Sequence, residues 1–215
     1  MAGLVRVNGK KIVDLSTRIN PGDEVLLKDK QVEPRKLVYY VLNKPKGYTC
    51  TREDRFAKKL VTELVPKDPP VFPVGRLDRE SEGLIILTND GELAEQLTHP
   101  KFDHEKEYEI TVGAKKDQLL ARAKKAVNLF ADGIVIDGYR TKKAKAEFNV
   151  IEDGRAKFKV ILKEGRKRQI RNTLNQAGLE VFELKRVRIG RLTLGDLEEG
   201  KYKNIAPSQI LDLPR

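Results

Sequence analysis

The sequence predicts an α+β fold, and three observations carry that expectation. Runs with strict alternation or with β-branched and aromatic residues are bounded by Asn-Gly and Asp-Gly pairs, the turn chemistry of β-hairpins. Other stretches carry apolar residues at helical spacing and end at glycine or proline. No internal repeat or low-complexity tract interrupts the two patterns, and the strands are expected to be mixed or antiparallel. With 215 residues, the chain can bury one sizeable core and carry a small second domain.

The elements follow in order. Residues 4–7 and 10–13 flank Asn8-Gly9, which tolerates positive φ at both central positions of a type I′ turn, so a hairpin is expected there. "INPGDEVLL" adds a Pro-Gly turn and a short strand, and the charged "KDKQVEPRK" reads as a linker, with a boundary near residue 36. "LVYYVLNKPKGY" is a strand stopped by Pro45 and Gly47, and "AKKLVTELV" has the spacing of a short helix broken by "PKDPPVFPVG". Leu84 to Leu87 lacks polar alternation, as expected of a strand covered on both faces. Asn89-Asp90 caps a helix ended by Pro100. "KEYEITVG" alternates, placing Lys106, Tyr108 and Ile110 on one face. Residues 115–128 read as a helix, and "AKAEFNVIE" and "GRAKFKVILKE" as strands joined at Asp153-Gly154. "RKRQIRNTLNQAG" puts Ile170, Leu174 and Ala177 on one helical stripe ending at Gly178, and "EVFELKRVRIGRLTL" returns to strand.

Composition narrows the partners. No apolar run approaches the roughly 18 residues that cross a bilayer, and "MAGLVRVNGKK" has neither a secretory nor a transit-peptide pattern, so the expected address is cytoplasmic. One cysteine, Cys50, and two histidines, His99 and His104, exclude an internal disulfide and a Cys/His metal site. Lys and Arg outnumber Asp and Glu by 8 to 5 in residues 1–36, trail by 9 to 10 in 37–100, and lead by 26 to 17 in 101–215. The excess concentrates in "GRKRQIR" and "KRVRIGR", a distribution that suits a polyphosphate partner.

Asp78 lies in the turn before the buried strand, where a scaffold can aim a carboxylate into a cleft, although pairing with Arg76 or Arg79 would serve a surface turn equally. Glu80 and Glu82 invite a paired-carboxylate hydrolase reading, which needs a separation that sequence spacing cannot establish. Tyr108 can pack across strands or stack on a flat ring, and Arg171 can be solvated or neutralise a buried carboxylate. His99 is expected to close a turn before Pro100. Neither a dinucleotide fingerprint nor a Walker pattern is present.

Five stretches, in order, resemble the RsuA/RluB branch of the ribosomal-RNA pseudouridine synthases: "LNKPKGYTCT", "VGRLDRESEGLIILTNDGELAEQLTHP", "KEYEITV", "LKEGRKRQIRNTL" and "ELKRVRIGRLTLGDLEEGKYKNI". They cover most of residues 37–206 and imply a catalytic domain over 37–215, with a mixed, mainly antiparallel sheet flanked by helices, that isomerises a uridine in ribosomal RNA, nearest the large-subunit type. The resemblance makes Asp78 the catalytic aspartate, Tyr108 the residue that stacks on the uracil and moves a proton, and Arg171 the countercharge to Asp78. It places Arg76 in the space the flipped base leaves and Leu184 on the apolar pocket wall. Lys44, Lys106, Arg166, Lys167, Arg168, Gln169, Lys185 and Arg186 are expected to contact RNA or substrate. It implies a monomer with no metal and no organic cofactor. Asn172 departs from the basic residue that members commonly carry there. Residues 1–36 resemble the β segment of the S-four RNA-binding domain, without the two helices that normally precede it. The competing expectations are a catalytically idle RNA-binding or ribosome-assembly factor, against which Asp78, Tyr108 and Arg171 argue together, and the carboxylate-pair hydrolase, against which the basic second half argues.

Overall fold

The computed structural model describes residues 4–210 apart from 15, 21, 33–34, 52–58 and 152–153. Chain contacts divide it into two compact units, Met1–Lys36 and Leu37–Arg215.

The first unit is a four-stranded antiparallel sheet of β1 (Val5–Val7), β2 (Lys10–Ile12), β3 (Val25–Leu27) and β4 (Lys30–Gln31), ordered β2-β1-β3-β4. Asn8 and Gly9 both take positive φ, 49° and 78°, as the hairpin turn requires. The Asn8 side chain does a second job: it donates to Asp23 at 2.9 Å and accepts from the Glu24 N–H at 2.9 Å, tying the turn to the start of β3.

The second unit runs β5 (Tyr39–Lys44), β6 (Phe72–Val74), β7 (Glu82–Thr88), α1 (Gly91–Thr98), β8 (Lys106–Gly113), α2 (Lys116–Asp132), β9 (Val135–Ile136) and β10 (Tyr139–Arg140). It continues with β11 (Lys145–Ile151), β12 (Arg155–Leu162), α3 (Gln169–Gln176), β13 (Glu180–Ile189), β14 (Leu192–Thr193) and β15 (Tyr202–Asn204). The main sheet is ordered β11-β12-β8-β13-β7-β5-β15, with β6 added to β7 and β14 to β13. All its pairs are antiparallel except β13–β7, which is parallel and spans only two residue pairs, Lys185–Glu82 and Arg186–Gly83. At this seam Gly83 has φ of 101°, and a Cβ there would collide with the backbone oxygen of Arg186, so only glycine lets the two strands meet.

The β7 strand is buried on both faces, as its apolar run predicts. Ile85 and Leu87 join a core beneath α2 and α3 that includes Ile110, Phe158 and Leu174. Leu84 and Ile86 join a second core with Leu93 and Leu97 of α1. Asp90 caps α1, its carboxylate accepting from the Leu93 N–H at 3.0 Å. Burial and the hydrogen bond it donates to Asp90 push the Tyr39 hydroxyl up to about 12.

Three expectations change. The helix expected in "AKKLVTELV" is a single 3₁₀ turn, Val61–Leu64, because Leu60 bridges to Thr49 in extended conformation and Pro66 follows; residues 57 and 58 lie outside the described residues. The helix expected from 115 to 128 extends to Asp132, where Gly133 at φ 74° ends it. The basic run 166–168 precedes α3 instead of lying on it, since Arg168 is left-handed at φ 53°. Asp153 lies outside the described residues, while Gly154 has φ of 70° at the start of β12. No helix among the described residues is long and apolar enough to cross a membrane.

Candidate active site

Asp78 sits on the loop from β6 to β7, just ahead of the parallel seam. The loop is pinned by an unusual anchor: Lys44, wholly buried at the end of β5, donates its ammonium to Ser81 O at 2.6 Å, Pro45 O at 2.9 Å and Arg79 O at 3.4 Å. Burial holds the Lys44 pKa below the ordinary lysine value. Further ties come from the Gly47 N–H to Arg79 O at 2.8 Å, the Ser81 N–H to Asp78 O at 3.0 Å and the Leu77 N–H to the Cys50 sulfur at 3.4 Å. The Asp78 side chain itself is half-buried, and among the described residues its carboxylate accepts no hydrogen bond.

A cavity of about 280 Å³ opens over Asp78. Tyr108 of β8 and Leu184 of β13 enter it from the sheet, Ile170 and Arg171 from the first turn of α3, and Arg76 from the Asp78 loop. Alternation explains the sheet residues: Tyr108 pairs in register with Arg186, and Leu184 lies two positions earlier on the same face of β13. Residues 165–168 close the rim, so Arg166, Lys167 and Arg168 also line it. Arg168 pairs with Glu80 at 3.0 Å, and that hydrogen bond holds the Glu80 carboxyl below the usual range.

Residues 38–176, the stretch of sequence that carries Asp78, Tyr108 and Arg171, match a family model described as RNA pseudouridylate synthase. The chain belongs to that family. The synthase is 32% identical over 212 residues to ribosomal large subunit pseudouridine synthase B of Bacillus subtilis (strain 168), covering 97% of this chain and 84% of that protein. It is 35% identical over 214 residues to the dual-specificity RNA pseudouridine synthase RluF of Escherichia coli (strain K12), covering 98% of this chain and 70% of that one. A crystal structure of a pseudouridylate synthase superposes with a TM-score of 0.68 at 28% identity, over 97% of this chain and 87% of the other. The α+β architecture, the RsuA, RluB and RluF branch, and an isomerase that binds and modifies RNA are therefore established for the synthase.

Not every expected site residue reaches the cavity or takes the partner expected of it. Arg171 does not form an ion pair with Asp78: its Nη2 donates to Glu80 O at 3.2 Å, while its Nε is buried without a partner. Lys44 is a loop anchor with no exposed surface, and its ammonium is spent on carbonyls instead of phosphates. Gln169, 4% exposed, donates to Glu164 at 2.9 Å and accepts from the Arg166 N–H at 3.3 Å, shaping the rim from within. Lys185 points to the opposite face of the sheet, beside Glu82, Glu109 and Glu183. Glu82 pairs with Lys46 at 3.2 Å while Glu80 pairs with Arg168, so each carboxylate of the hydrolase reading is held by its own cation, which argues against that reading. Lys106 and Arg186 line a neighbouring chamber that also touches Arg76 and Tyr108. His99 closes its turn as expected, accepting from the Lys101 N–H at 3.2 Å. Cys50 and Ser81 support the Asp78 loop, a role that sequence spacing gives to neither.

Proposed function

We propose that the synthase isomerises a specific uridine of large-subunit ribosomal RNA, with Asp78 as its catalytic carboxylate. The observation that carries this reading is the convergence of Asp78, Tyr108, Leu184 and Arg171 on one cavity at the head of β7. The likeness to a large-subunit synthase supports the choice of RNA.

A flipped uridine entering the cavity meets the Tyr108 ring on one side and the Leu184 and Ile170 side chains around it, contacts that offset the few kcal/mol lost on unstacking. The bond from nitrogen 1 to the sugar breaks, the uracil turns, and carbon 5 bonds to the same sugar carbon. The proton on carbon 5 then leaves, and nitrogen 1 gains one. Asp78 acts by addition to the sugar or by removing a proton beside the anomeric carbon; both routes need the ionised carboxylate. Arg171 supplies a positive charge at the same cavity, and the Tyr108 hydroxyl moves the final proton. The uracil is only detached, turned and reattached, so the reading includes neither metal nor organic cofactor. Arg166, Lys167 and Arg168 hold phosphates at the rim. The reading assigns 37–215 to catalysis and 1–36, with its exposed Arg6, Lys10 and Lys11, to further RNA contact, in a cytoplasmic monomer.

The test incubates the full chain with large- and small-subunit rRNA transcripts and maps pseudouridine in each. One modified large-subunit uridine, lost in Asp78→Asn while RNA affinity holds, is the expected result. Modification of small-subunit RNA alone would redirect the substrate, and an active Asp78→Asn would remove the aspartate from the chemistry.

A further inference from the structure

Beside the Asp78 cavity lies a larger chamber of about 470 Å³, within the roughly 300–1,000 Å³ typical of small-ligand sites. The two adjoin through a common wall of Gly75, Arg76, Tyr108, Gly165 and Arg166. Val74, Ile86, Leu97 and Ile189, all buried, form the chamber's apolar part. Cations dominate its lining, six Lys and Arg against Asp103 and Glu164. Lys142 is paired with Asp103 at 2.6 Å and Arg166 lies 3.8 Å from Glu164, but Lys106, Lys163 and Arg186 have no carboxylate within 4.0 Å among the described residues. Arg186 is 3% exposed and donates from Nε to Leu84 O at 2.8 Å, yet its Nη2 has no partner, leaving a buried cation in the wall. At the rim the Arg166 guanidinium lies 3.4 Å from the centre of the Tyr139 ring, a flat platform. Apolar surface, a stacking platform and unpaired cations together are what an unstacked nucleotide of single-stranded RNA needs.

We propose that this chamber receives a second unstacked nucleotide, the one joined by a phosphodiester to the target uridine, so that the synthase reads two consecutive nucleotides. The proposal rests on the reading of the Asp78 cavity as the uridine site. A single extruded base would fill that cavity and leave the chamber outside recognition; a pair of linked nucleotides fills both and draws sequence preference from the second. The unpaired charge belongs with the phosphate of that second residue, and the apolar wall with its base.

The test is ultraviolet crosslinking of the full chain to rRNA transcripts, with adduct peptides mapped by mass spectrometry and pseudouridine mapped in parallel. Adducts are expected in two groups, on 167–171 and on the chamber segments 98–106 or 139–142. Thr98→Trp, on the exposed chamber lip, should cut the second group about tenfold, as loss of a stacked base does; Thr98→Ala should leave it intact. Lys163→Glu, which reverses an exposed charge without adding bulk, should also cut it. Adducts confined to 167–171, or chamber adducts indifferent to both Thr98→Trp and Lys163→Glu, would overturn the proposal. Chamber adducts that respond to these variants in a chain that modifies no uridine would keep the chamber and sink the Asp78 reading instead.

Discussion

Lys44→Met removes the ammonium that holds the Asp78 loop and keeps most of the stem. Two effects oppose each other. Ser81 O at 2.6 Å and Pro45 O at 2.9 Å lose their donor, at about 1–3 kcal/mol for each buried carbonyl left unpaired. Against this, the variant no longer buries a charge, which costs several kcal/mol in the wild type. Burial holds the Lys44 pKa below the ordinary lysine value despite the nearby Glu82 and Asp78 carboxylates, so the desolvation cost is real. Global stability should therefore change by only about 1–2 kcal/mol, while the loop loses its anchor. Displacement of a reacting group by about 1 Å costs on the order of 100-fold in rate, near 2.7 kcal/mol of barrier. Turnover on rRNA should thus fall about 100-fold, with RNA affinity within about twofold, since phosphate contacts set affinity. A second readout is pH. A lysine whose folded pKa is depressed releases its proton earlier when folded, so the unfolded chain binds more protons between the folded pKa and 10.5 and stability rises with pH across that window. Urea unfolding followed as pH rises toward 10.5 should show a smaller gain in Lys44→Met than in wild type. Turnover within about threefold of wild type, in a variant that unfolds normally, would refute the anchoring role.

Tyr108→Phe should bind RNA normally and turn over more slowly, because the ring face is kept and the hydroxyl lost, whereas Tyr108→Leu should weaken both; equal behaviour in binding and single-turnover assays would reduce Tyr108 to packing. Gly83→Ala forces a Cβ onto the Arg186 backbone oxygen at a φ that L-residues avoid, so it should lower the unfolding free energy by about 3 kcal/mol or more, measured by urea titration. Lys167→Met should weaken RNA binding and reduce the slope of log affinity against log salt by about 0.7–0.9, while leaving turnover at saturating RNA unchanged.

What was legible in the sequence is what local pattern encodes. The uninterrupted Leu84–Leu87 run announced a strand covered on both faces, and alternation in "KEYEITVG" put Tyr108 and Ile110 on the buried side of β8. Where only long-range pairing decides, the pattern is silent. Pro73 disguised β6, which the fold tolerates because β6 pairs only with β7, and "YKN" carries no apolar alternation to reveal β15 on the outer edge of β5. Residue type also misleads when the partner is a backbone atom. Lys44 and Gln169 are polar residues in basic motifs, and nothing local tells that carbonyls, a backbone N–H and Glu164 occupy them. Lys185 is different, since period-two alternation from Leu184 already assigns it to the opposite face. The Arg171–Asp78 pair failed for a subtler reason: the same loop offers the guanidinium the Glu80 carbonyl.

The two-residue parallel seam between β7 and β13 has a consequence for how the synthase comes into being. Arg186 reaches back across 102 positions of sequence to bond Leu84 O. During synthesis at about 5–20 residues per second, several seconds separate the appearance of the aspartate from that of the strand that completes its surroundings. Until then β7 can pair with β5 and β6 but presents an open edge where β13 will dock, the kind of edge that recruits other chains. Contacts of such high sequence separation form late and slowly. A nascent or truncated synthase lacking β13 would therefore expose this edge, so the seam couples chemical competence to completion of the chain.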